Sequence, residues 1–212
     1  MRLSFYTVNP EYCNYLRQYD ARVPYNYDAK KNRPFVGIVY SLQDYQYYAP
    51  LTSPKPKHQT MKNQVDFLKI ENGVYGAINF NNMIPVTQDQ LQKADLTISP
   101  TDPKYERDYK NLLINQLSWC NANREVIINS ASKLYALISM GKDYVQLQER
   151  CCNFKLLESV CDGNLPVLEL GTPSEPPKTS IAATLEDAKQ KSEDMERRKQ
   201  IIKRAQDYEI DL

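Results

Sequence analysis

Residues 35–58, FVGIVYSLQDYQYYAPLTSPKPKH, decide how the first half of this chain folds. Residues 35–40 and 45–51 are rich in β-branched and aromatic side chains, which is typical of strands. The polar residues 41–44 between them are typical of a turn. A β-hairpin is therefore predicted here.

The second strand of this hairpin leads into residues 50–58, PLTSPKPKH, the part of the chain with the highest density of functional groups. Three prolines fix φ and predict a stiff extended loop, without a helix, that holds its polar side chains outward. These side chains are two hydroxyls, two ammonium groups and the only histidine of the chain: Thr52, Ser53, Lys55, Lys57 and His58. Such a cluster is typical either of a solvated turn or of a reaction site.

Further short strands are predicted around the hairpin, and Asn72 and Gly73 supply a turn between two of them. They cover residues 3–8, 65–70, 74–80 and 83–86. Asn9 and Pro10 predict the start of a helix after the first strand. About six strands with one early helix favour an α+β fold with a small, strongly bent antiparallel sheet or a partly closed barrel.

Beyond Thr87 the apolar residues recur with a period near 3.6, which predicts helices packed on the sheet. The predicted helices cover residues 88–93, a segment opening at 102–103, residues 124–141 and residues 153–160. The composition then changes. Residues 1–162 are predicted to be the folded domain, residues 163–180 a linker, and residues 181–212 a charged tail helix.

The charge of the chain is unevenly distributed. The net charge is only +1, but residues 1–70 hold ten Lys and Arg against five Asp and Glu, so this part carries +5 and the remainder −4. The chain also has sixteen tyrosines, whose rings suit stacking against bases, although most are expected at the edges of the core. A polyanion-binding face is therefore predicted on the N-terminal part.

Several classes of protein are disfavoured by the sequence. The five cysteines are odd in number and show no C-x-x-C spacing, which argues against a disulfide framework or a zinc site. No apolar run has the length of a membrane span, and no signal-peptide pattern is seen. The cytoplasm is the expected compartment.

Hydrolytic chemistries differ in how well they match the cluster at residues 52–58. No G-x-S-x-G surrounds Ser53, which disfavours a generic catalytic triad. Residues 50–65 hold no carboxylate for a metal-dependent nuclease. The cluster fits metal-independent RNA cleavage, in which the 2′-OH of the substrate attacks the adjacent phosphate and the protein supplies a base, phosphate-stabilising donors and an acid. Neither a metal nor another cofactor is then expected.

A series of segments along residues 1–160 follows a recognisable order. They are FY at 5–6, FVGIV at 35–39, YAPLTSPK at 48–55, His58, GAINF at 76–80, MIP at 83–85 and CNFKLLE at 152–158. This series resembles the ToxN/AbiQ family of type III toxin–antitoxin systems, which are bacterial endoribonucleases inhibited by a repeat-encoded RNA. Its most specific part is APLTSPK.

The resemblance implies a fold like that of the small-barrel toxins of the MazF and Kid type. It also implies cleavage of A-rich single-stranded RNA to a 2′,3′-cyclic phosphate, with a role in abortive infection by phage. The implied partners are a pseudoknotted antitoxin RNA, held in a closed protein–RNA hetero-oligomer, and cellular and phage mRNA as substrates.

The resemblance also selects site residues. Thr52, Ser53 and Lys55 match the active-site motif of the family and, with His58, are the catalytic candidates. Arg33 falls where family members carry a catalytic lysine, but an arginine cannot readily act as a base. The base is therefore left open between Lys55, His58 and a hydroxyl positioned by them.

The candidates for RNA binding are four tyrosines, which would stack on bases, and four lysines, which would contact phosphates. They are Tyr6, Tyr25, Tyr27, Tyr48, Lys30, Lys31, Lys57 and Lys62.

Two other functions remain open at this stage. One is a non-catalytic RNA-binding module that uses the same basic and aromatic face. The other is a Ser/Lys hydrolase that acts on an acyl group.

Overall fold

The computed structural model describes residues 2–26, 34–42, 44–140 and 144–163. The strands within these ranges are β1 (Ser4–Val8), β2 (Phe35–Leu42), β3 (Tyr45–Thr52), β4 (Phe67–Lys69), β5 (Ala77–Asn79), β6 (Ile84–Pro85) and β7 (Leu91–Lys93). The α-helices are α1 (Pro10–Arg17), α2 (Pro56–Thr60), α3 (Lys104–Ala122), α4 (Arg124–Met140), α5 (Val145–Arg150) and α6 (Phe154–Cys161). Single 3₁₀ turns lie at Glu71–Gly73, Phe80–Asn82 and Gln88–Gln90.

The strands form an antiparallel sheet in the order β4-β5-β3-β2-β1-β7, and β6 also pairs with β3. The predicted hairpin is confirmed, with Phe35 opposite Pro50 and Leu42 opposite Tyr45. Its register shifts between Gly37 and Tyr40, an irregularity of the kind that bends a strand. Within the described ranges β4 and β7 do not pair with each other, so the open sheet, and not the barrel, is the observed alternative.

The predicted helix starts are confirmed where a side chain caps the helix. The Asn9 side-chain oxygen accepts a hydrogen bond from the Glu11 N–H at 2.9 Å, and Pro10 occupies the first position of α1. At α6 the Asn153 side-chain oxygen accepts from the Leu156 N–H at 3.2 Å. These caps satisfy N–H groups that have no partner inside the helix.

Two predicted elements are wrong in extent or type. The strand expected at residues 74–80 is restricted to β5, because Glu71 and Asn72 adopt positive φ and widen the preceding turn. The helix expected at residues 88–93 is a single 3₁₀ turn followed by β7. Strand β7 pairs with β1, and this tertiary pairing overrides a weak local helix preference.

The extended loop predicted for residues 50–58 is also wrong in its second half, where α2 begins at Pro56. A proline at the first helical position is tolerated because the N–H that it lacks would have no helical partner there. The helical turn is closed by the His58 N–H donating to the Lys55 carbonyl at 2.9 Å. This turn rotates His58 inward to 2% exposure, whereas an outward side chain was expected.

The core lies where α4 packs on β2 and α6 packs on β6 and α4. Its polar centre is the buried carboxylate of Glu158 on α6. This carboxylate accepts hydrogen bonds from the Tyr47 hydroxyl at 2.8 Å and the Tyr135 hydroxyl at 2.6 Å, and it pairs with Lys155 at 3.0 Å. These contacts join β3, α4 and α6, and they satisfy a charge that would be costly to bury alone.

The turn between β4 and β5 touches the end of β3 through Gly76. Gly76 has φ +94°, and a Cβ at this position would lie 2.1 Å from the Thr52 carbonyl oxygen. Its own carbonyl accepts from the Ile70 N–H at 2.9 Å. Only a glycine permits both this φ and this close approach.

Some predictions fall outside the described residues. These are the linker after Gly163 and the charged tail helix at residues 181–212. Across the described ranges, no helix has the length and apolar character needed to cross a membrane.

Replacement of Gly76 by alanine is expected to lower the free energy of unfolding by at least about 2 kcal/mol, because the methyl group would overlap the Thr52 backbone and the backbone φ is unfavourable for alanine. Urea denaturation measures this change. Gly163→Ala is the matched control, since Gly163 also has a positive φ but a Cβ there meets nothing within 4 Å. Equal stabilities of the two variants would contradict the proposed role of Gly76.

Candidate active site

A cleft of about 360 Å³ opens beside the end of β3. Its lining residues are Thr52, Lys55, Lys57, His58, Met61, Gln64, Asp66, Phe67, Asn79, Asn81 and Arg150. They come from β3, α2, β4, β5, the end of α5 and the connections between these elements. The cleft therefore brings together the catalytic candidates Thr52, Lys55 and His58 with the predicted phosphate-binding Lys57.

Thr52 is the last residue of β3 and is paired with Ala77 of β5. Its hydroxyl oxygen is buried and has no hydrogen-bond partner within the described part of the chain. Ser53 follows it and is exposed, but it is not among the residues that line the cleft. The strand thus fixes the position of the first hydroxyl, and the second lies directly after it.

His58 packs inside the cleft wall, with its ring 5.7 Å from the ring of Phe67. Its Nδ1 atom is buried and, among the described residues, has no hydrogen-bond partner. Burial, and then the positive charges of Lys55 and Lys57, lower the pKa of His58 from its usual value. The imidazole is therefore neutral at pH 7 and able to accept a proton.

The lysines give the cleft a positive edge. Lys55 lies in extended backbone just before α2, and Lys57 lies on α2, both with exposed side chains. Three cations, these two and Arg150, line the cleft against one carboxylate, Asp66, so the lining carries a net charge of +2 with His58 neutral. A cleft of this charge suits a phosphate-containing ligand.

A second polar group, on the wall formed by β4 and the end of α5, was missed by the sequence analysis. The Asp66 carboxylate is 7% exposed and accepts two hydrogen bonds from Arg150, from Nε at 2.6 Å and from Nη2 at 3.0 Å. Arg150 also donates to the Gln64 side-chain oxygen at 3.0 Å. Because 84 residues separate Asp66 from Arg150, no local spacing in the sequence announces this pair.

The predicted RNA-binding residues are dispersed. Tyr25 is 44% exposed, with the Arg17 guanidinium 5.7 Å above its ring. Lys62 is exposed but does not line the cleft. Four of the predicted site residues fall outside the described ranges: Tyr27, Lys30, Lys31 and Arg33.

Tyr48 requires a correction. It was expected to stack on bases, but it is fully buried, in edge-to-face contact with Tyr6 at 5.4 Å between ring centres. It also lies so close to Gly37 that a Cβ there would be 2.2 Å from its ring. Tyr48 therefore packs the sheet, while Tyr6 is only partly buried.

In the parts of the chain that the structure describes, no three His, Cys, Asp or Glu side chains are grouped in a way that could hold a metal ion.

His58 is expected to make stability depend on pH. The folded-state pKa of His58 lies below its unfolded value of about 6.5, so below that pH the unfolded chain takes up more protons and stability falls. The free energy of unfolding, measured at about pH 7.5 and about pH 5.5, should therefore drop more in the wild type than in His58→Gln. Equal drops in the two proteins would show that His58 is not held neutral.

Residues 4–162 match the family described as Toxin ToxN of the type III toxin–antitoxin system. Among curated relatives, the endoribonuclease ToxN of Pectobacterium atrosepticum is 36% identical over an alignment of 164 residues, and the match covers 74% of this chain and 90% of that protein.

Solved structures also resemble this chain. A toxin structure concerned with selective toxin inhibition by a non-coding RNA pseudoknot is 28% identical with a TM-score of 0.64, covering 77% of this chain and 98% of that one. AbiQ, a lactococcal anti-phage endoribonuclease of a type III toxin–antitoxin system, is 27% identical with a TM-score of 0.66 and the same two coverages, 77% and 98%. With the family match over residues 4–162 and the 36% identity to a curated member, the chain belongs to the ToxN family of toxins of type III toxin–antitoxin systems.

Proposed function

We propose that this protein is a metal-independent endoribonuclease toxin that cuts A-rich single-stranded RNA and leaves a 2′,3′-cyclic phosphate. The observation that carries the proposal is the cleft in which the buried Thr52 hydroxyl and His58 Nδ1 lack partners among the described residues. An unpaired buried polar atom costs about 1–3 kcal/mol. Two such atoms beside two lysines are explained if both side chains turn toward the cleft as a phosphate of the substrate binds and completes their hydrogen bonds.

The cleavage step needs only groups that this chain can supply. The substrate's 2′ oxygen bonds to phosphorus as the bond from phosphorus to the 5′ oxygen breaks. A base takes the 2′ proton, and an acid gives a proton to the departing 5′ oxygen. Lys55 and Lys57 offset the charge on the phosphorane, and the hydroxyls of Thr52 and Ser53 donate hydrogen bonds to it.

The base is one of the groups beside this phosphate. Neutral His58 is able to accept a proton, and it stays a candidate together with Lys55 and a hydroxyl that they position. Arg33, which lies outside the described residues, is proposed as a cationic contact to phosphate and not as the base.

The partners follow from the family. One related structure concerns toxin inhibition by an RNA pseudoknot, and another is of an anti-phage endoribonuclease. We extend both to this chain: a pseudoknotted repeat RNA holds the toxin in a protein–RNA hetero-oligomer, and the released toxin cuts cellular and phage mRNA in the cytoplasm during abortive infection. The likeness to MazF and Kid toxins stays a prediction.

The first test is direct cleavage of RNA. In EDTA, the wild type should cut an A-rich single-stranded RNA and leave a cyclic phosphate end, while the same RNA with a 2′-deoxy sugar at the cleaved nucleotide should stay intact, because it lacks the nucleophile. Gel electrophoresis and mass spectrometry of the ends report both results. Cutting of both RNAs, or a need for metal, would refute the mechanism. RNA bound without cutting would favour the non-catalytic binding module.

The second test is substitution within the cluster. Ser53→Ala and Lys55→Ala should each lower the cleavage rate by about 100-fold or more and abolish toxicity in cells, because each removes a donor or a charge from the phosphorane. Both side chains are exposed, so the melting temperature should hardly change. Lys104→Ala is the control, since its side chain is 85% exposed on α3. Full toxicity of both cluster variants would overturn the site assignment.

A further inference from the structure

The register of three strands places one row of side chains beside Thr52. Thr52 is opposite Ala77, and Ala77 is opposite Lys69 on its other side. Two residues further along β5, Asn79 is opposite Phe67 of β4. Alternate residues of a strand share a face, so Asn79 and Phe67 lie on the same face as Thr52. The residues between them, Leu51, Ile78 and Leu68, point to the opposite face and are buried in the core.

The distance along this face matches a neighbouring nucleotide. Asn79 is two residues from Ala77 in β5, which is about 7 Å along the strand. Asn79 and Phe67 both line the cleft, and both are partly buried, so each presents some surface to a ligand. A nucleotide joined to the phosphate at Thr52 would reach them.

The side chains of Phe67 and Asn79 are suited to binding a nucleobase. A phenyl ring offers a platform on which a base stacks, and directly opposite residues bring their Cβ atoms to about 5 Å. The Asn79 amide makes no side-chain hydrogen bond to any described residue, so its donor and its acceptor are both available. Unlike Asn81, which donates to the Arg150 carbonyl at 3.2 Å, Asn79 is not used by the fold.

Arg150 completes the wall of the cleft. Its Nε and Nη2 groups are held by Asp66 and Gln64, while Nη1 makes no hydrogen bond to any described residue. The side chain is 48% exposed. An arginine fixed in this way can present its remaining N–H groups to a phosphate without first being ordered.

We infer that Phe67, Asn79 and Arg150 form a nucleotide subsite that selects adenine next to the scissile phosphate. This inference rests on the proposed function and names the residues that give it base specificity. Stacking on Phe67 favours the larger purine rings. On the N7 edge of a purine, adenine offers one acceptor and one donor, which match an amide, whereas guanine offers two acceptors. Arg150 binds the phosphate of the same nucleotide.

The test is binding of short 2′-fluoro oligonucleotides, which cannot supply the attacking hydroxyl. Fluorescence anisotropy compares an adenine oligomer with one that carries purine, the base lacking the 6-amino group. The wild type should bind the adenine oligomer about 5- to 100-fold more tightly. Asn79→Ala should bring this ratio close to one. Asn111→Ala, an exposed asparagine on α3, is the control and should keep the wild-type ratio.

Arg150→Gln separates phosphate contact from base contact. It should weaken the binding of both oligomers equally and make the salt dependence of log K shallower by about 0.7. The glutamine is chosen because its amide can still donate to Asp66, and a melting curve verifies folding. No preference for adenine in the wild type, an unchanged preference in Asn79→Ala, or an unchanged salt slope in Arg150→Gln would overturn the subsite. Because this assay needs no cleavage, an inert wild type in the RNA assay would refute the proposed function alone.

Discussion

The pairing of Leu51 and Thr52 with Ile78 and Ala77 is the constraint on which the candidate site depends. On its other edge β3 is held by β2, and the Leu51 N–H donates to the Pro34 carbonyl at 2.9 Å. Thr52 is therefore the end of a strand fixed on both sides, and the tight turn at Gly76 packs against its carbonyl. A reactive group on a rigid strand keeps its geometry better than one on a loop.

The charges around this strand end fall into two classes. Lys55 and Lys57 form no ion pair with any described residue, so their field is available to a ligand. Arg150, by contrast, is paired with Asp66 and serves as an oriented donor more than as a bare charge. Neutral His58 lines the same cleft. In the proposed function, the lysines attract a phosphate, and the lining residues of β4, β5 and the end of α5 recognise the rest of the nucleotide.

The sequence predicted features that depend on near neighbours. The hairpin of β2 and β3 follows from residue type and the polar turn between the strands, and the helix start at Asn9 follows from the capping preference of asparagine. For the same reason the cluster from Thr52 to His58 was found without a structure. Structural features that are determined by residues adjacent in the chain can be predicted from a single sequence.

Features that depend on distant contacts were missed or misjudged. Three prolines predict an extended loop at residues 50–58, but Pro56 begins α2, because a proline is tolerated at the first helical position. The ion pair of Asp66 and Arg150 joins segments 84 residues apart, and burial of Tyr48 depends on the glycine beneath it in the neighbouring strand. A single sequence carries no sign of contacts between such distant segments, so the Asp66–Arg150 pair and the burial of Tyr48 are seen only in the fold.

The most direct measurement of the central claim is a crystal structure of the protein with an uncleavable A-rich RNA. The proposed mechanism places a backbone phosphate in the cleft, about 3 Å from the Thr52 hydroxyl and the Lys55 ammonium group, which are ordinary hydrogen-bond distances. An RNA bound on another face, with the cleft at Thr52 and His58 left unused, would contradict it.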